Sequence, residues 1–318
     1  MQPDAPSSAV PPAHSSGGGV AFLPELCVHE ETVRIGSRSI HCAIGPDNGP
    51  PVVLFHGVTR CWRDFEPILP GLLGRFHVFA PDHRGHGGSS RESDYRVADF
   101  AGDAEAFLEA HLREPAVLIG HSLGAMVAAC VAAGRPERVR GLVLEDPPGT
   151  TLAEGISRSR FQLQFANTQR ALAENHDVDS LSQALAAMPV HRPSDGAVVC
   201  FRAIRDAAAI RFGAQCLLQM DPAVLETLLA GRWLEGLDWF GALPRISCPT
   251  LLLRGDRQCG GMLDSSESDR MVSLIPRCTR RELPGVGHSI HSAQPARMLG
   301  LLDEFFQEHG LLGARPLP

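Results

Sequence analysis

The segment Gly120-His121-Ser122-Leu123-Gly124 lies between an apolar run, Ala116-Val117-Leu118-Ile119, and an alanine-rich run from Ala125 to Ala133. A G-x-S-x-G turn passes from strand to helix so sharply that its serine takes strained backbone angles, and the flanking glycines remove Cβ atoms that would collide. Gly, Ser and Gly at this spacing arise by chance in roughly one chain in ten of this length, so the pentapeptide alone decides little. The strand before it and the helix after it mark a nucleophile elbow, with the Ser122 hydroxyl lifted toward a substrate.

A chain of 318 residues, 44% hydrophobic and 20% charged, is long enough for one large α/β domain, or one domain carrying an inserted lobe. A net charge of −7 argues against a nucleic-acid partner, which needs clustered Lys and Arg against phosphate. Nine cysteines, an odd number without C-x-x-C spacing, read as reduced thiols. No apolar stretch reaches the ~20 residues of a membrane helix, so no membrane partner is expected. The start has neither a basic n-region nor an apolar h-region, and a cytoplasmic location is expected.

Residues 1–20, rich in Pro, Ser and Gly, are expected to form a disordered arm. Short β-rich runs follow at Glu31–Ile35, Ser39–Ile44, Val52–Phe55 and Val78–Ala80. Helical spacing of apolar residues marks Arg96–Leu112, Leu123–Ala133 and Arg297–Gln307, while Ala116–Ile119, Leu142–Leu144 and Thr250–Leu253 read as buried parallel strands. This alternation predicts a doubly wound, mostly parallel sheet, with residues 21–146 and 244–318 as its core. Residues 147–243 are expected to form a helical cap without a strand, with helices near Phe161–Ala173, Ser180–Met188, Ala197–Phe212 and Pro222–Leu229. Such an insertion would cover the carboxyl ends of the strands, where open α/β sheets bind ligands.

A serine hydroxyl needs a general base within hydrogen-bond reach, and the base needs a partner that fixes its tautomer. Gly285-Val286-Gly287-His288-Ser289 follows the strand-like Thr279–Pro284 and precedes the closing helix, so His288 is the expected base. The nearby His291 reads as structural. An oxyanion hole takes one backbone N–H from the residue after the nucleophile and one from the loop after an early strand. Leu123 supplies the first. Val53-Leu54-Phe55-His56-Gly57-Val58 runs a strand into a glycine turn and offers the amide of Val58 as the second, with His56 as a residue that fixes the loop.

Together, His56-Gly57, Asp82-His83-Arg84-Gly85-His86-Gly87-Gly88-Ser89, the Ser122 elbow and Gly287-His288 resemble the α/β-hydrolase fold superfamily over roughly residues 28–310. The resemblance implies an eight-stranded sheet and the branch with a helical cap, which includes esterases, lactonases, carbon–carbon bond hydrolases, dehalogenases and epoxide hydrolases. The last two use an aspartate nucleophile. Ser122 therefore implies acyl chemistry through a serine ester. Asp82 and Arg84 are expected to brace their loop.

In most of that superfamily the triad acid follows the penultimate strand in a G-x-x-D stretch. Here Gly255-Asp256-Arg257-Gln258 places a glutamine there, which cannot stabilise an imidazolium as a carboxylate does. A minority branch carries the acid after the strand that follows the nucleophile helix, where Leu144-Glu145-Asp146-Pro147 stands. Side chains alternate along a strand, so Glu145 and Asp146 point to different sides, and an Asp just past the carboxyl edge is free to meet a loop histidine. Asp146 is the favoured acid; Asp256, Asp264 and Glu145 stay open, and Asp146 also fits a turn that starts the cap.

Arg202, Arg205 and Arg211 form a helix-period group in the cap, one of which could meet an anionic substrate, although such charges are more often a solvated face. Trp62 is a candidate for the substrate pocket, as are Phe161, Phe165, Trp233, Trp239 and Phe240. No sequence motif points to a metal site, and the chemistry needs no cofactor. The expected function is a serine hydrolase that cleaves a small-molecule ester or lactone through a Ser122-His288-Asp146 triad, with a carbon–carbon bond as an alternative target. The rival is a ligand receptor or pseudoenzyme on the same fold, a reading motivated by the missing G-x-x-D acid.

Overall fold

A computed structural model describes residues 27–150, 156 and 159–312; the expected arm, residues 1–20, lies outside the described residues. Six strands come first: β1 (His29–Ile35), β2 (Arg38–Ile44), β3 (Pro51–Phe55), β4 (His77–Pro81), β5 (Ala116–His121) and β6 (Val139–Glu145). An intervening segment carries β7 (Pro189–His191) and β8 (Val198–Cys200), after which β9 (Thr250–Gly255) and β10 (Cys278–Leu283) follow. Eight of these form one sheet in the order β1-β2-β4-β3-β5-β6-β9-β10. β2 is antiparallel to both its neighbours, and every later pairing is parallel. This is the doubly wound, mostly parallel sheet expected from the sequence.

The central strands read as continuous apolar runs because both faces are covered: every residue of β3 and of β5 is buried. Strand alternation divides the core in two. Val53, Phe55, Leu118, Leu142 and Leu144 pack with Phe100, Phe107 and Met126 beneath the helices Val97–His111 and Leu123–Gly134. Val52, Leu54, Val117, Ile119 and Val143 turn the other way, toward Phe65, Leu72 and the Met298, Leu302 and Phe306 face of the Pro295–Glu308 helix. No helix among the described residues is long and apolar enough to cross a membrane.

Between β6 and β9 stand the helices Gln162–Glu174, Val178–Ala187, Ala207–Leu218 and Ala223–Leu229. Asp177 caps the second by accepting from the amides of Asp179 and Ser180, and Asp206 caps the third by accepting from Ala209. Two expectations for this segment are corrected. It contains a β-hairpin, β7 against β8, where no strand was expected, because three-residue strands are too short to show an alternating pattern. The helix expected from Ala197 begins at Ala207: the β-branched pair Val198-Val199 is extended, and the Asp206 cap sets the later start.

Gly102 is exposed in the middle of the Val97–His111 helix, and an added Cβ there meets nothing within 4 Å. Gly102→Ala is expected to raise the unfolding free energy by about 1 kcal/mol, read from the midpoint of a urea titration. An unchanged or lowered midpoint would contradict the helical assignment.

Candidate active site

Ser122 follows β5 with φ 55° and ψ −118°, a conformation that a non-glycine residue holds only where its surroundings impose it. They do so on three sides. A Cβ on Gly120 would lie 2.2 Å from the carbonyl oxygen of Gly124, and one on Gly124 would lie 1.9 Å from that of Phe55. The Ser122 amide donates to the Glu145 carbonyl on β6 at 2.9 Å. The next residue, Leu123, is the first of the helix, so its N–H has no acceptor within that helix.

At the end of β6, Asp146 is fully buried and held at φ 44°. Its Oδ1 accepts from the amides of Gly255 (3.0 Å) and Leu263 (3.3 Å), and its Oδ2 accepts from Met262 (2.7 Å). The same Oδ2 lies 2.7 Å from Nδ1 of His288. An ionised carboxylate only accepts, so Nδ1 carries the proton and Nε2 keeps its lone pair. His288 and Ser122 line one cavity of about 380 Å³, together with Val58. Among the other acids, Asp256 accepts from the amides of Gln258 and Gly285, and Asp264 caps the Ser265–Leu274 helix. Both serve the loops around β9.

Glu145, the neighbour of Asp146, takes the second histidine of the same loop. Its Oε1 accepts from the amides of Ile290 (2.5 Å) and His291 (2.9 Å), and its Oε2 lies 2.8 Å from Nδ1 of His291. On the far side, Nε2 of His291 is 3.2 Å from Oδ2 of Asp64. Burial opposes a charge on His291, but the two carboxylates outweigh it and raise its pKa to about 10. His121 closes the cluster with Nδ1 3.7 Å from Oδ2 of Asp64; burial, then the nearby His288 and His291, keeps it neutral. Asp64, His121 and His291 offer ligand atoms within 4.8 Å of one another, a grouping that sequence spacing does not reveal. Both ring nitrogens of His291 face carboxylates, so the cluster forms an ionic brace under the elbow.

The loop after β3 is also built on histidines. The His83 amide donates to Nε2 of His56 at 3.0 Å, so Nδ1 of His56 carries the proton and donates to the Gly57 carbonyl at 2.8 Å. His86 contacts the Arg84 carbonyl through Nδ1 at 3.0 Å. Burial lowers all three: His56 falls well below its ordinary value, His83 to about 3 and His86 to about 4. Asp82 binds the amides of Trp62 and Gly88 and the ring of His41, while Arg84 pairs with Asp103.

Trp62 does not line the cavity. It opens the turn Trp62–Phe65, whose buried side faces the core, so its ring packs among Phe65, Ile68 and Leu54, and its indole N–H donates to Glu30 at 3.3 Å. Phe161 and Phe165 do line it, whereas Trp233 and Trp239 are buried in the core and Phe240 lies under Arg270. Of the three cap arginines singled out, Arg205 reaches the cavity; Arg202 is exposed and Arg211 pairs with Asp179. Arg60, Arg160 and Arg192 also line it. Of these, only Arg60 carried a sequence signal, being two residues beyond Val58.

A family model described as alpha/beta hydrolase fold matches residues 50–294. A 2-(acetamidomethylene)succinate hydrolase of Mesorhizobium japonicum is 27% identical over 265 residues, 81% of this chain and 88% of that one. Haloalkane dehalogenase 2 of Mycobacterium tuberculosis is 29% identical over 293 residues, 89% of this chain and 97% of that one. The crystal structure of E-2-(acetamidomethylene)succinate hydrolase is similar with a TM-score of 0.68 at 23% identity, covering 88% of this chain and 99% of that chain.

The His291 brace has a pH signature. Its folded pKa, about 10, exceeds the unfolded value of 6.5, so its stabilisation is complete below about pH 6.5 and is lost as pH rises toward 10. Unfolding free energy is expected to fall by about 1.4 kcal/mol per pH unit across that window. Urea titrations at stepped pH would show the slope, and His291→Gln should flatten it. A level wild-type profile from about pH 7 to 9 would rule out the charged brace.

Proposed function

Because the chain belongs to the alpha/beta hydrolase fold family, we propose that it is a serine hydrolase that cleaves a small ester or lactone through an acyl-enzyme. The observation that carries this reading is the 2.7 Å contact of His288 Nδ1 with Asp146 beside a serine held on a strained elbow in the wall of the same cavity. Ser122 Oγ attacks the carbonyl carbon while Nε2 of His288 takes its proton. The carbonyl electron pair moves to oxygen, which the amides of Val58 and Leu123 receive. As the pair returns, the bond to the leaving oxygen breaks and His288 returns the proton to it. Water then repeats the sequence on the acyl-serine and frees the acid. Asp146 keeps the imidazole in the Nδ1–H tautomer and stabilises its charged form.

Residues 147–243 act as a cap in this scheme. Its Phe161, Phe165, Phe201 and Ile204 line the cavity opposite the elbow and help exclude water. The partner is a small molecule, and the chemistry calls on no cofactor.

Hydrolysis of p-nitrophenyl acetate, followed well past one equivalent of product, should continue in the wild type and vanish in Ser122→Ala. Asp146→Asn should lower kcat by about 10⁴, while Asp256→Asn should change it less than about threefold, since Asp256 binds only loop amides. A single-equivalent burst would favour the ligand-receptor reading, and near wild-type turnover of Asp146→Asn would remove Asp146 from the triad.

A further inference from the structure

Among the described residues, the cavity that holds Ser122 and His288 is lined by four arginines, Arg60, Arg160, Arg192 and Arg205, and by no aspartate or glutamate. Three of the four are engaged. Arg160 donates to the carbonyls of Pro193, Arg257 and Gly261 and stacks on Phe161. Arg192 pairs with Asp195 at 2.8 Å. Arg60 lies 3.7 Å from Asp64 and over the ring of Phe212. The guanidinium of Arg205 makes no hydrogen bond or ion pair among the described residues.

Arg205 also borders two adjoining spaces. It lines both the main cavity and an adjoining recess of about 50 Å³, and Arg60 lines the same two spaces. Asp64 fixes how near this is to the elbow, since one of its oxygens is 3.7 Å from Arg60 Nε and the other 3.7 Å from Nδ1 of His121, the residue before Ser122. Arg205 is exposed at the cavity wall, so its guanidinium is open to an incoming anion and can form charge-assisted bonds with it.

We propose that the substrate carries a carboxylate close to its scissile carbonyl, and that Arg205, with Arg60 beside it, receives that carboxylate. This deepens the serine-hydrolase reading and rests on it for the reaction, though not for the binding. A cavity of about 380 Å³ is at the small end of ligand sites, so the substrate class is a half-ester or lactone of a short dicarboxylic acid. The carboxylate between Arg205 and Arg60 sets how far the carbonyl enters, which places it beside Ser122.

Calorimetric titration of Ser122→Ala with monomethyl succinate and with dimethyl succinate separates binding from turnover. The monoanion should bind at least about tenfold more tightly than the neutral diester, and added salt should weaken it. Arg205→Gln in the same background should weaken the monoanion by about 10- to 100-fold, Arg205→Lys should restore part of the loss, and Arg202→Gln should have no effect. Equal binding of the two esters, no binding of the monoanion, or an Arg205→Gln titration that matches Arg202→Gln would overturn the proposal. Charge-selective binding by the serine variant, with no hydrolysis of mono-p-nitrophenyl succinate by the wild type, would keep the anion site and overturn the hydrolase reading instead.

Discussion

Two neighbouring carboxylates at the end of β6 hold the rest of the site in register. Successive residues of a strand face opposite ways, so Glu145 and Asp146 reach two histidines of one loop from different sides, His291 and His288. Asp146 also accepts amides from Gly255, Met262 and Leu263, which fastens the β9 turn to β6. Glu145 anchors the amides of Ile290 and His291, while its own carbonyl takes the Ser122 amide. One strand end therefore sets the positions of the elbow, the histidine loop and the turn after β9. A carboxylate buried without these donors would be far too costly to keep.

Much of this was legible in the sequence, for identifiable reasons. The elbow was readable because glycine is required where backbones nearly touch, as the Gly120 and Gly124 contacts illustrate. Buried parallel strands announce themselves as apolar runs, and strand alternation was enough to separate the roles of Glu145 and Asp146. What escaped were contacts between segments far apart in the chain. Asp64, His121 and His291 carry no shared spacing and are brought together only by the fold. Trp62 was misplaced because an aromatic four residues beyond Val58 in a loop can turn inward or outward, and periodicity does not say which. The same ambiguity covered Arg202, Arg205 and Arg211, where one guanidinium reaches the cavity and the others do not.

In the proposed reaction, reactivity and recognition rest on separate parts of the chain. Ser122, Asp146 and His288 follow the ends of β5, β6 and β10 on a packed sheet, and their geometry is tied to its register. The walls that face them come largely from the segment between β6 and β9, including Arg205 and its aromatic neighbours. Substitutions in those walls change what fits without moving the sheet, which is how one scaffold hosts many substrates.

The three clustered imidazoles behind the early loop, packed edge-on and tilted, carry a consequence for where the protein can work. His56, His83 and His86 are kept neutral by burial, so the stability they provide is whole above about pH 6.5 and drains away as pH falls toward 4 and 3, when the unfolded chain binds protons that the folded one refuses. The loop after β3 is therefore acid-labile, while the charged His291 makes its own side of the site alkali-labile. An organism that shifted this protein to an acidic compartment would have to rebuild the loop's interior before it altered a single reacting group.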